Sequence, residues 1–175
     1  MENSKSVWGN RFIIAAIIQG GITTALALII AGIQMTFTQV NIIQSLSLSF
    51  EGAAKWFFIG TIFYLILVVA IAVTAVFYNH LEISLNKKFS GIRGILAWIH
   101  LIGMNVGGTG ATLLMIFAGL DGSGILSLLS EGQLGKQNVA ILDSFIAPIA
   151  SFIGALAIGV ICGGIGYILA YKSKI

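Results

Sequence analysis

Charge is what this chain has least of: Asp, Glu, Lys and Arg make up 9% of its 175 residues, against about 25% in an ordinary soluble domain. A single cysteine, Cys162, rules out a disulfide scaffold and a cysteine-rich metal site. A single proline, Pro148, beside 22 glycines rules out a collagen-like repeat or a Pro/Gly-rich tail. No basic cluster of the kind that tracks nucleic acid is present. Phosphate-loop, His-Glu-x-x-His and Gly-x-Ser-x-Gly patterns are all missing. What the chain does have is apolar surface, with 58% hydrophobic residues and a mean hydropathy of +1.03.

That surface is concentrated. Residues 12–37, 56–78, 95–120 and 145–171 contain no Asp, Glu, Lys or Arg, so every formal charge lies between or beyond these runs. About 20 apolar residues cross a hydrocarbon core of about 30 Å, and each run is longer than that. A soluble bundle has no packing that hides four such runs, and β-barrel strands would be about 10 residues long with alternating polarity. The expected fold class is therefore all-α: one polytopic four-transmembrane-helix bundle comprising residues 1–175. The first run exceeds the 7–15 apolar residues of a signal peptide and has no small-x-small cleavage site, so it reads as retained.

Lys and Arg fall unevenly about the spans. Lys5, Arg11, Lys87, Lys88, Arg93, Lys172 and Lys174 lie on one side, and only Lys55 and Lys136 on the other. The positive-inside rule then predicts a cell-membrane protein with both termini cytoplasmic. The net charge of +3 reads as contact with anionic headgroups of the lipid bilayer, with no nucleic-acid partner. Trp8, Trp56 and Tyr171 sit at span ends, where amphipathic rings favour the interface.

Small residues indicate which helices approach one another. Gly103 and Gly107 form a Gly-x-x-x-Gly pair in the third span, and Ala155, Gly159, Gly163, Gly166 and Ala170 form a longer seam in the fourth. Gly21, Ala25 and Gly32 offer a stripe on the first. Spans three and four are thus expected to pack tightly. Span two, rich in Phe, Tyr, Ile and Val, is expected to face lipid or a partner. Asp143 or Ser144 is placed to cap the fourth helix, with Pro148 near its first turn.

Polar groups inside spans are the default candidates for function. Gln19 lies about 12 Å beyond Arg11, and His100 about 10 Å beyond Arg93, so the two share a depth. Asn105 lies deeper, on a face with Gly108, Thr109 and Thr112. A neutral imidazole is both a metal ligand and titratable near neutrality, which makes His100 a candidate ligand or proton relay; interhelical hydrogen bonding is its plainer role. His80 stands about 10 Å away in depth, so a bis-histidine haem is disfavoured. No span holds a carboxylate, which argues against a proton- or cation-coupled transporter.

The stretch Ala97-Trp98-Ile99-His100-Leu101-Ile102-Gly103-Met104-Asn105-Val106-Gly107 resembles histidine-bearing helices of haem–copper oxidase catalytic subunits. With residues 10–20 and Ala118-Gly119-Leu120, the whole chain resembles small four-helix membrane proteins associated with archaeal terminal oxidases. The resemblance implies a subunit of a respiratory complex that does not itself reduce oxygen, since the further histidines for a haem and copper centre are missing. The resulting expectation is an accessory, non-catalytic subunit packed against larger membrane-complex subunits. The alternatives are a small electron carrier binding haem or quinone at His100 and Gln19, and a homo-oligomeric transporter of small solutes. No catalytic or metal-binding residue is assigned.

Overall fold

A backbone sheathed in apolar side chains has only its own carbonyls to bond, and each charge-free run is helical. The structure is a computed structural model and describes residues 6–47 and 52–173. In chain order the elements are α1 (Val7–Thr36), α2 (Ile42–Ser47), α3 (Ala54–Asn79), a π-helical extension at His80–Ser84 and α4 (Ile92–Ile102). A π-helical turn at Gly103–Gly108 follows, then α5 (Thr109–Gly122), α6 (Ile125–Glu131), a 3-10 turn at Val139–Ile141 and α7 (Leu142–Lys172). No strand occurs among the described residues. Four helical stretches are long and apolar enough to cross a membrane: Val7–Thr36, Ala54–Ser84, Ile92–Gly122 and Val139–Lys172. Most of them outrun the predicted runs by a few residues, because the charge-free stretch marks what suits lipid while the helix continues to its next break. Lys5, Glu51, Lys174 and the alternating tail at 48–50 lie outside the described residues.

The chain divides into two compact units. The first comprises the described residues of Met1–Gly20, Ile66–Thr109 and Phe152–Ile175. Its core holds Trp8, Phe12, Ile71, Tyr78, Leu81, Ala97 and Met104. Here two helices meet backbone to backbone. A Cβ built on Gly103 would lie 2.6 Å from Gly159 Cα and 2.9 Å from the Ala155 carbonyl, and one on Gly107 would lie 2.9 Å from the Phe152 carbonyl. A Cβ on Gly108 would collide with Leu67, 2.6 Å from its Cδ1. The loop before α4 and the first turn of that helix hold the end of α7, with Lys87 Nζ donating to the Ser173 carbonyl at 2.5 Å and Arg93 Nη1 to Ser173 Oγ at 2.9 Å.

The second unit comprises the described residues of Gly21–Leu65 and Gly110–Ser151. Gly60 approaches α5 closely enough that a Cβ would lie 2.8 Å from Met115 Cβ, and Gly119 lies against the backbone of Phe57. Both inter-span loops carry short helices that bury one face, Ile42 and Leu46 on α2, and Ile125 and Leu128 on α6. Asn41 caps α2 by accepting from Gln44 N at 3.0 Å, while Gln34 Oε1 takes Ile42 N at 2.7 Å. Neither Asp143 nor Ser144 caps α7. The chain enters that helix through the 3-10 turn, and the Ser144 hydroxyl donates to the Ile141 carbonyl at 2.6 Å, so it serves as a donor inside the helix. Pro148 falls in the second turn of α7 and removes one bond from its ladder.

Span two keeps one face exposed, with Phe63, Ile66, Val69 and Val76 outward, but it is more buried than its composition suggested. A third of its most apolar window is buried and half of span three's, against 6% for span one and 11% for span four. The reason is that glycines on one helix receive large side chains of another. Leu67 seats on Gly108 and Phe57 on Gly119, so the bulky face of α3 is the complement of the glycines of span three. On α1, by contrast, a Cβ at Gly21 or Gly32 would meet nothing within 4 Å.

Gly159→Val should lower the detergent melting temperature by the equivalent of about 1–3 kcal/mol, because backbone cannot yield. Gly154→Val, at a position with nothing within 4 Å, should leave it within about 0.5 kcal/mol of wild type.

Candidate functional site

The candidate site lies in the first unit and begins at the N-terminus of α1. The first amides of a helix have no carbonyl behind them. Here the Glu82 carboxylate supplies the acceptor, taking Trp8 N at 2.9 Å, Gly9 N at 3.4 Å and the Ser6 hydroxyl at 2.5 Å. Ser6 Oγ in turn accepts from Gly9 N at 3.0 Å. A negative charge at this end also complements the helix dipole. The π-helical extension His80–Ser84 carries Glu82 to that position. His80, two residues earlier, is exposed.

This join sets the register of the aromatic side chains beside it. Phe12 stacks on Tyr78 with ring centroids 4.9 Å apart and planes 13° from parallel. Phe12 and Tyr78 lie 5.2 Å and 5.9 Å from the imidazole of His100. The Tyr78 hydroxyl meets His100 Nδ1 at 3.2 Å. The phenol donates when Nε2 carries the ring proton and accepts in the other tautomer. Gly163 underlies the imidazole, since any Cβ there would fall on the ring. Gly166 sits beside Leu96, 3.3 Å from its Cβ in the same construction. Tyr78 is 2% exposed and His100 9%, so the pair is almost wholly enclosed.

A groove of about 640 Å³ opens beside this pair, lined on three helical segments by Thr74, Phe77, Tyr78, His100, Met104 and Tyr167 among others. Thr74 donates to the Ala70 carbonyl at 2.8 Å, and beside the imidazole–phenol pair the wall is mostly apolar, with Tyr167 the other phenol in it. The helix turn that starts three residues after His100 is the π-helical Gly103–Gly108, a widening often found at functional sites.

Gln19 is not brought to His100. Its Nε2 donates to Asn105 Oδ1 at 3.1 Å, and Asn105 Nδ2 bonds the Leu101 carbonyl at 2.9 Å. The groove lined by His100 does not include Gln19. A common distance from the basic flanks thus placed both residues at one level but not on facing surfaces. Sequence reasoning also missed Tyr78 and Glu82. The signal for Glu82 was a serine at the position before α1, which marks a helix start in need of an acceptor. Cys162 is half-buried and in no disulfide. Among the described residues no three His, Cys, Asp or Glu side chains come together to hold a metal ion.

No protein-family model matches the chain, and no curated protein or solved structure matches it either. Among the described residues the first unit offers an enclosed imidazole–phenol pair, an amide pair and a helix start capped by a distant carboxylate. A lone imidazole with its Nδ1 engaged provides one axial position at most, so the residues present do not build a bis-histidine haem pocket.

Tyr78→Phe should destabilise the protein by about 1–2 kcal/mol and alter the 15N shifts of the His100 ring, read by NMR on selectively labelled protein. A double-mutant cycle with Gln19→Leu and Asn105→Leu should give a coupling energy of about 0.6–1.7 kcal/mol, measured by unfolding in detergent.

Proposed function

We propose that this chain is a multi-pass membrane protein with both termini in the cytoplasm, serving as an accessory, non-catalytic subunit of a respiratory complex such as a haem–copper-type terminal oxidase. The seven-to-two division of Lys and Arg supports the orientation. The observation that carries the subunit reading is the outer half of α1. From Gly21 to Thr36 that helix has no buried residue, and Gly21, Ala25, Leu28 and Gly32 recur along it at helical spacing, all exposed. Lipid gains nothing from small residues, whereas a partner helix gains close backbone approach. Larger subunits of the complex would occupy this stripe.

A second reading, a small carrier that binds haem or quinone beside His100, is favoured by the groove at the Tyr78–His100 pair. Its single imidazole suits the carbonyl of a quinone head better than a haem iron. Gln19, paired with Asn105, stands outside that site.

Purification from native membranes in mild detergent tests the first reading: a stoichiometric larger partner should accompany the chain. Gly21→Ile with Gly32→Ile should release that partner without lowering the melting temperature. Recovery of a stable monomer with no partner overturns the proposal. A difference spectrum without a Soret band eliminates the haem form of the second reading, and extraction of the same sample for quinone decides the other.

A further inference from the structure

Arg11 stands one turn into α1, and its Cζ lies 4.5 Å from the ring centroid of Trp8 and 4.6 Å from that of Trp98. The two indoles meet edge to face, 5.4 Å apart at 82°. A cation–π contact holds a guanidinium in place without consuming its N–H donors. Among the described residues no hydrogen bond or ion pair engages them. The charge is therefore positioned without being neutralised by any described residue, and the rotamer entropy that an anion would otherwise have to remove is already lost.

This cation stands in a groove of about 350 Å³ whose walls are Ile14, Ala15 and Ile18 on one side and Leu101, Ile102 and Val106 on the other. The other polar residue in it, Asn105, has its carboxamide committed to Leu101 and Gln19. The lining extends over residues 11–18 of α1 and 98–106 of the opposite segment, about 10–12 Å at 1.5 Å per residue. The outline is that of an amphiphile: an anion at one end and a hydrocarbon chain along the rest. A free anion would use only the mouth, and a neutral amphiphile would leave the guanidinium unpaired.

We propose that this groove is a specific site for an anionic phospholipid, with its phosphate on Arg11 and the first half of one acyl chain between α1 and the Trp98–Val106 segment. Arg–phosphate bonds are charge-assisted and directional, and Trp98, 46% exposed, forms the lip over which the headgroup bends. On the orientation proposed above the lipid belongs to the cytoplasmic leaflet. Binding itself does not depend on that orientation, and the test is made in detergent.

Native mass spectrometry of the purified, delipidated chain should show phosphatidylglycerol binding about tenfold tighter than phosphatidylcholine of the same acyl chains. Arg11→Gln should abolish the preference while leaving phosphatidylcholine binding unchanged, and Arg11→Lys should keep part of it. Ala15→Leu, which fills the trough and leaves the cation intact, should weaken both lipids. Inorganic phosphate at millimolar concentration should compete poorly. An unchanged preference in Arg11→Gln overturns the proposal. So does full displacement by inorganic phosphate with no effect of Ala15→Leu, which would mark a site for free anions. If Arg11→Gln fails to fold by circular dichroism, Arg11→Lys and Ala15→Leu decide, and wild-type behaviour in both overturns the assignment.

Discussion

Helices in hydrocarbon gain no hydrophobic reward for meeting, because lipid tails are as apolar as their own side chains. Association depends on how near two backbones can come, and in this protein that distance is set by the glycines of the third span. Gly103 and Gly107 admit the fourth helix, Gly108 admits Leu67, and Gly119 admits Phe57. Span three is the most buried of the four for this reason. The same faces determine where its polar side chains go. His100 lies over Gly163 because the neighbouring turns of the two helices are already in contact at Gly103 and Gly159.

Polar joins then supply what close packing lacks, which is direction. A glycine contact tolerates sliding, whereas the Gln19–Asn105 and Tyr78–His100 bonds are satisfied at one register only. Gln19, Tyr78 and His100 are buried and Asn105 is half-buried, so a slip would leave a phenol or an amide unpaired away from water, a penalty of about 1–3 kcal/mol each. The ends of the first unit are tied with charge instead, through Glu82 on the first amides of α1 and through Lys87 and Arg93 on Ser173. These charged joins are half-buried, at the ends of helices, where part of each ion keeps its access to water.

The four helices were legible because charge segregates so completely along the chain; no competing pattern interferes with that signal. The glycines of spans three and four were legible for a related reason, since small side chains have little other use in a lipid-facing helix. Pairing was not legible. Tyr78 and His100 are 22 residues apart, Gln19 and Asn105 are 86 apart, and no local periodicity encodes which face meets which. Span two misled because bulk was read as a preference for lipid, when Leu67 and Phe57 are the complements of glycines elsewhere. Arg11 was read only as a topology-setting charge and Glu82 was not singled out, yet each has a specific seat that depends on residues far along the chain.

The seat of Glu82 bears on how the protein is made. The acceptor that completes the first turn of α1 lies 74 residues downstream of Trp8. In synthesis α1 is made before the acceptor for its first amides exists. The first turn of α1 is therefore completed only after the second long helix has been made, so that this end of the helix is finished late.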